Sequence, residues 1–286
     1  MLTEARLEIQ QAWWAMEGLG DGEKEWTMEE KFEKIAEAGF TGIVGFVPAS
    51  SEAEQWRKLL DRYRFSFGAL AFPWNRQDLS AVAKQAKEFG AQYINAQVMD
   101  AYVIGAEAER LLNDLVMETR EQEVPLYVET HRGRVTQDLH RTIDYVNAIP
   151  DLRLTIDLSH YIVAGEINGD IEKVDPYFDI LLKRTSCLHA RVSNGEQIQI
   201  DIGPNGVHPM VKHFMRWWTS AFKYWLEQAK PGESLPVLPE LGPPDYAITT
   251  QPYLRSSREV SNRWEQASVL KQLLQQAWQR AKSAKF

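Results

Sequence analysis

The chain has 286 residues, 44% of them hydrophobic and 25% charged, with 32 basic and 40 acidic residues for a net charge of −8. That composition suits a globular protein with a sizeable core, and it disfavours broad binding to a phosphate backbone, which needs a basic face. A single cysteine, Cys187, excludes an internal disulfide framework, and no run approaches the roughly 20 apolar residues of a membrane span. The first ten residues, MLTEARLEIQ, carry early acids and no long apolar stretch. No secretory signal is expected from them, and a cytoplasmic location is.

Taken in chain order, strand-type and helix-type segments alternate. LEIQQAWW (7–14) is the first strand, and a helix follows from Thr27, where Glu30 completes a capping box, to Gly39. GIVGFV (42–47) is the second strand; Ser51 and Glu54 repeat the capping pattern for its helix. FSFGALAF (65–72) precedes a helix through SAVAKQAKEF that stops at Gly90. AQYINAQV (91–98) precedes EAERLLNDLVMETREQE, and VPLYVET (124–130) precedes a helix opened by Thr136 and ended at Pro150. LRLTIDL (152–158) is followed by a helix starting near Pro176, SCLHARV (186–192) by VKHFMRWWTSAFKYWLEQA, and LPVLPEL (235–241) by REVSNRWEQASVLKQLLQQAWQRAK.

Eight strands, each followed by a helix and with no linker between them, is the count of a (β/α)8 TIM barrel, here a single domain over residues 1–286. A doubly wound open sheet is the alternative. It usually carries a glycine-rich first turn, and MEGLGDGEKEW is not a G-x-G-x-x-G opening a helix.

In a barrel the functional side chains sit at the carboxyl ends of the strands. The fifth strand ends in Glu129, followed by Thr130 and His131; the sixth ends in Asp157, with His160 beyond; the seventh carries His189 and then Arg191; the eighth ends in Glu240. Glu129 to Asp157 is 28 residues and Asp157 to His189 is 32, one βα unit each. His189 to Glu240 is 51, so about 20 extra residues are expected in that connection, against roughly 31 per unit. SNGEQIQIDIGPNGVHP supplies them as a long loop over the same face. Three carboxylates and one imidazole would then converge from four adjacent strands. Oxygen-rich ligation with one nitrogen suits a divalent metal, Mn²⁺ or Mg²⁺ before Co²⁺ or Zn²⁺. A cation there explains how an apolar strand such as LRLTIDL can end in a carboxylate. His140, His208 and His213 have no such placing.

ETHRGR (129–134), DLSH (157–160), LHARV (188–192) and PELGPP (239–244) together resemble the sugar-phosphate isomerase/epimerase group of xylose-isomerase-like TIM barrels. The resemblance covers nearly the whole chain and is strongest from about residue 124 to 245. It implies that Glu129, Asp157, His189 and Glu240 bind a divalent metal, Mn²⁺ foremost. It also implies that Glu129 and Glu240 exchange protons at adjacent carbons of a bound sugar through an enediolate. His160 would lie beside the substrate oxygens, with His131 and Arg191 as further substrate contacts. Trp13 or Trp14, after the first strand, and Phe72 or Trp74, after the third, are placed to form an aromatic wall against a sugar. The expected partner is a small sugar or sugar-derived molecule, with no nucleic acid and no membrane. The tryptophan-bearing seventh and eighth helices hint at a homo-oligomer. Dehydration of a polyol-derived ketone on the same groups, or a barrel that binds sugar without catalysis, are the alternatives.

Overall fold

The computed structural model describes residues 4–22, 24–251 and 257–284. Eight parallel strands close into a barrel: β1 (Arg6–Ala12), β2 (Gly42–Gly45), β3 (Ser66–Ala71), β4 (Tyr93–Ala96), β5 (Leu126–Glu129), β6 (Leu154–Ile156), β7 (Thr185–Ala190) and β8 (Ser234–Pro239). Each strand pairs with its sequence neighbours. The ring closes where β1 pairs with both β8, at Ile9 and Val237, and β2, at Gln10 and Gly42. All eight expected strands are present at their expected places. The register slips once, between β6 and β7, where Leu154 faces Thr185 but Thr155 faces Cys187. A short antiparallel pair, Gly20–Asp21 with Lys24–Glu25, lies between β1 and the first helix.

The helices are α1 (Met28–Glu37), α2 (Ala53–Tyr63), α3 (Arg76–Phe89), α4 (Gly105–Gln122), α5 (Leu139–Ala148), α6 (Ser159–Ala164), α7 (Asp175–Leu182), α8 (Val211–Gln228) and α9 (Arg263–Ser283). The capping box at α1 forms as expected. Thr27 Oγ1 accepts from the Glu30 N–H at 3.3 Å, and Glu30 Oε2 accepts from the Thr27 N–H at 2.7 Å. Four helix starts differ from expectation, α9 among them, which begins at Arg263 behind the Asn262 cap and not at Arg258. α2 begins after Glu52 with no side-chain cap. α3 begins earlier, on Asn75, whose side chain accepts from the Asp78 N–H. α5 is capped by Asp138 instead of Thr136. Thr136 is drawn off because its hydroxyl bridges the turn after β5, donating to the Glu129 carbonyl and accepting from the His131 N–H. The helix expected near Pro176 is α7, with the proline in its first turn. α6 is additional and starts two residues after Asp157.

Two apolar layers form. One lies between barrel and helices, and Trp217, Trp218 and Trp278 are spent there, each no more than 5% exposed. The other is the barrel interior, with Ala12, Val44, Tyr93, Cys187 and Leu238. Period-2 alternation fixes what points inward. On β7 the same face carries Cys187 and then His189, with Arg191 next in step; on β4 it carries Tyr93 and Asn95, with Gln97 next. Gly68 on β3 makes room for Tyr93, since a Cβ there would lie 2.6 Å from its Cζ. Among the described residues no helix is long and apolar enough to cross a membrane. We expect Gly68→Ala to cost about 1–3 kcal/mol by overpacking against the buried Tyr93 ring. Urea denaturation measures it, and a loss below ~0.5 kcal/mol would show that the ring yields freely.

Candidate metal centre

Glu129, Asp157, His189 and Glu240 meet at the carboxyl end of the barrel. One ligand atom from each lies within 4.8 Å of all the others. Glu129 and Asp157 are fully buried, His189 is 2% exposed and Glu240 5%. Each rides on the strand end the sequence assigned to it, and β5–β8 are consecutive in the barrel, so the four side chains share one rim.

The neighbours fix one oxygen of each glutamate and both oxygens of Asp157. Glu129 Oε2 accepts from Asn95 Nδ2 at 2.7 Å and Gln97 Nε2 at 3.2 Å, while its Oε1 has no hydrogen-bond partner. Asp157 Oδ1 accepts from the Ser159 N–H at 2.9 Å and the Ser159 hydroxyl at 2.5 Å. Asp157 Oδ2 accepts from Arg191 Nη2 at 2.6 Å, and Glu240 Oε2 accepts from the same nitrogen at 3.0 Å. Below the carboxylate, the Asp157 backbone exchanges two hydrogen bonds with the Thr130 hydroxyl. His189 Nδ1 lies 3.2 Å from Glu240 Oε2 and 3.6 Å from Glu129 Oε1. Neither contact has hydrogen-bond geometry, and both ring nitrogens are buried without a partner.

Three carboxylates thus face the one fixed positive charge of Arg191, leaving two negative charges for other cations to meet in a buried site. Buried charge left unmet is costly. Burial would raise the Glu129 and Glu240 carboxyls. The attraction of His189, and of Arg191 for Glu240, outweighs it, holding Glu129 below and Glu240 well below the usual carboxylate range. Asp157 is lifted by burial, which Arg191 only partly opposes. His189 shows the counterpart. Burial alone would depress it, but Glu240 and Glu129 push its pKa well above the ordinary value, so the ring is protonated when no other cation is present. The two orphaned imidazole nitrogens, the orphaned Glu129 Oε1 and the double charge deficit fit a divalent ion.

His160, in the first turn of α6, and His131, after β5, bring their rings within 3.8 Å, centroid to centroid. Burial depresses both pKa values, that of His160 strongly, so both are neutral. The 3.7 Å approach of His160 Nε2 to Asp157 is therefore no ion pair. Nε2 instead accepts from Arg191 Nη2 at 2.9 Å, which puts the proton on Nδ1, buried without a partner. His131, Glu129 and His160 also offer ligand atoms within 4.8 Å of one another. Of the aromatic wall, Trp13 is not brought to the acids; it packs on Phe32 and Trp56 beneath α1 and α2. Trp74, 52% exposed, and Phe72 stand at the end of β3, where Phe72 meets Phe46. Trp14 packs edge-on against Tyr246, 5.5 Å away, in the loop after β8. Tyr246 in turn covers Arg191 and Arg132, with guanidinium carbons 5.2 and 5.5 Å from its ring centre.

The sequence reading did not single out Asn95, Gln97, Ser159 or Tyr246. Asn95 was accessible in principle, one β-step beyond Tyr93, and Gln97 one step further. Ser159 and Tyr246 lie outside strand periodicity.

No protein-family model matches the chain, and no curated protein does. Solved structures do. A xylose isomerase-like TIM barrel protein from Mycobacterium smegmatis, in complex with magnesium, superimposes with a TM-score of 0.59 at 11% identity, covering 96% of this chain and 97% of that one. The probable 3-DHS dehydratase AsbF of Bacillus anthracis gives 0.56 at 14% identity, over 84% of this chain and 95% of that chain. An AP endonuclease of family 2 from Brucella melitensis gives 0.52 at 13%, over 81% and 91%. The fold is therefore that of the xylose-isomerase-like TIM barrels, as the motifs implied.

The raised His189 pKa predicts a pH signature. A group whose folded pKa lies above its unfolded value of ~6.5 stabilises the fold fully below that pH and loses the contribution as pH climbs through the folded value. Chelator-treated protein should therefore lose Tm steadily above pH ~6.5. Added Mn²⁺ should flatten the curve by replacing the imidazolium proton. Parallel curves with and without Mn²⁺, read by calorimetry, would contradict the assignment.

Proposed function

We propose that this protein is a divalent-metal-dependent sugar isomerase or epimerase in which Glu129 and Glu240 move protons at carbons next to a carbonyl. The observation that carries the reading is the pair of buried glutamates on β5 and β8, bracketing the Asp157 and His189 strands, each with one oxygen held by donors.

Glu129, Asp157, His189 and Glu240 would hold the ion, which supplies Lewis acidity for the carbonyl oxygen; three oxygens and one nitrogen favour Mn²⁺ or Mg²⁺. The remaining steps belong to side chains. Glu129 is ionised at neutral pH, and Asn95 and Gln97 hold its carboxylate in place through Oε2, so the group is positioned to accept a proton. Loss of the C–H proton leaves an enediolate. Return of the proton by the same carboxylate to the neighbouring carbon gives isomerisation, and delivery by Glu240 from the other side gives epimerisation. Arg191 stays charged throughout and bridges Asp157 and Glu240, donating to both through Nη2. His131 and His160, both neutral, are poised to hydrogen-bond sugar hydroxyls, and Phe72 and Trp74 offer the apolar rim for a sugar face. With a net charge of −8, a small molecule is the favoured substrate over nucleic acid.

The unpartnered Nδ1–H of buried His160 favours dehydration as the second reading, since it is a donor for a departing hydroxyl. Product analysis separates the two: an isomer or epimer retains the elements of water, and an enone has lost them.

The test is a panel of ketoses with Mn²⁺-loaded protein in D₂O. Deuterium should enter at a carbon beside the carbonyl, and Glu129→Gln and Glu240→Gln should each slow wash-in by roughly 10²–10⁴-fold while binding of sugar persists. Stoichiometric Mn²⁺ with no wash-in for any ketose, and no product, would overturn the catalytic reading in favour of a binding protein.

A further inference from the structure

Two arginines at this site have donors that no described residue uses. Arg191 is 1% exposed. Its Nε donates to Ser159 Oγ at 3.2 Å, and its Nη2 serves Asp157, Glu240 and His160. Its Nη1 donates to nothing. A buried donor of a charged group left unpaired is costly, and native interiors rarely contain one without a ligand or water to meet it. Arg132 lies in the turn after β5, half-buried. Among the described residues its guanidinium makes no hydrogen bond or ion pair. Both guanidinium groups pack on the same Tyr246 ring, at 5.2 and 5.5 Å. Burial pushes the Tyr246 phenol up in pKa, so it is neutral and supplies no countercharge. Arg134, the other basic residue of that turn, is already employed. It donates to the Met99 carbonyl at 3.2 Å and stacks on Phe72 at 5.1 Å.

We infer that Arg132 and the Nη1 corner of Arg191, gathered on Tyr246, form a subsite for a single negative charge on the substrate, so that the substrate is a sugar acid with a carboxylate. The inference rests on the sugar-converting reading above and narrows it. The charges favour a carboxylate over a phosphate ester. With a divalent ion in place, the three carboxylates are balanced by the ion and Arg191, and Arg132 is left as the one surplus positive charge on the Tyr246 ring, Arg134 standing apart on Phe72. A carboxylate closes that balance, whereas a phosphate dianion overshoots it. A planar guanidinium is also suited to a carboxylate's two oxygens.

Matched sugars that differ only at C6 test this: D-glucose, D-glucuronate and D-glucose 6-phosphate, with D-galactose and D-galacturonate as a second stereochemical series. Their binding to Mn²⁺-loaded protein is measured by calorimetry, with deuterium wash-in followed on the same samples. In at least one series the uronate should bind roughly 10-fold or more tighter than the neutral sugar, the scale of one hydrogen bond to a charged group. Arg132→Met should abolish that preference at unchanged Mn²⁺ content, and Arg132→Lys should restore part of it. Equal affinity for uronate and neutral sugar in both series, or a uronate preference that survives Arg132→Met, would overturn the subsite. Tighter binding of glucose 6-phosphate than of glucuronate would overturn the carboxylate assignment. Wash-in on neutral sugars without any uronate preference would sink this inference alone. A uronate preference without wash-in on any substrate would leave the subsite standing and remove the isomerase reading.

Discussion

The electrostatic constraint at the barrel mouth governs the rest of the site: three acids are forced together in a buried cluster. Such a group is stable only if positive charge comes with it. The chain supplies one fixed charge through Arg191, whose Nη2 bonds both Asp157 and Glu240. It supplies a second, conditional one through the His189 ring, whose proton is held by Glu240 and Glu129. A divalent ion would take over from that proton. The same three acids therefore explain why an arginine is buried, why an imidazole carries no hydrogen bond, and why the pKa values of two neighbouring glutamates fall while that of the aspartate rises.

Around this core the barrel divides its labour by position. β5 to β8 bring the charged groups, and β4 brings neutral amides, Asn95 and Gln97, that hold Glu129 without adding charge. The turns supply hydroxyls. Ser159 holds Asp157 from the start of α6, Thr130 ties β5 to the Asp157 backbone, and Thr136 locks the turn that carries His131. The register slip opposite Leu154 and Thr155 places its extra residue, Ser186, on β7 ahead of Cys187 and His189. One inserted residue there sets which side chains of β7 face the barrel interior. The magnesium-bound barrel from Mycobacterium smegmatis shares this architecture at only 11% identity. The path of the backbone is thus met by many sequences, while the site is specified by a few side chains at strand ends.

Much of this was legible in the sequence for identifiable reasons. The strands were readable as short apolar runs between helix caps, and their even spacing gave the barrel. The four ligands were readable because a strand end is a fixed place in this fold, so Glu129, Asp157, His189 and Glu240 could be numbered without coordinates. What escaped depended on contacts between distant segments. Thr136 looks like a helix cap locally, but tertiary contacts with Glu129 and His131 claim its hydroxyl. Trp13 looks like a rim aromatic, but Phe32 and Trp56 wait for it under α1 and α2. Tyr246 sits in an irregular loop, where no periodicity announces a side chain that reaches both arginines.

The roof over the site has a consequence of its own. The loops after β7 and β8 are stapled by a reciprocal amide pair: Gln199 Oε1 accepts from the Gly242 N–H at 2.7 Å, and Gln199 Nε2 donates to the Gly242 carbonyl at 3.1 Å. Gly242 has room for no side chain, because a Cβ there would lie 2.4 Å from Trp14 Cη2 and 2.7 Å from Tyr246 Cβ. Both bonds fall on one residue of each loop, so the loops after β7 and β8 move as one piece unless the two bonds break together. Two segments 43 residues apart in sequence thus share a single mechanical fate.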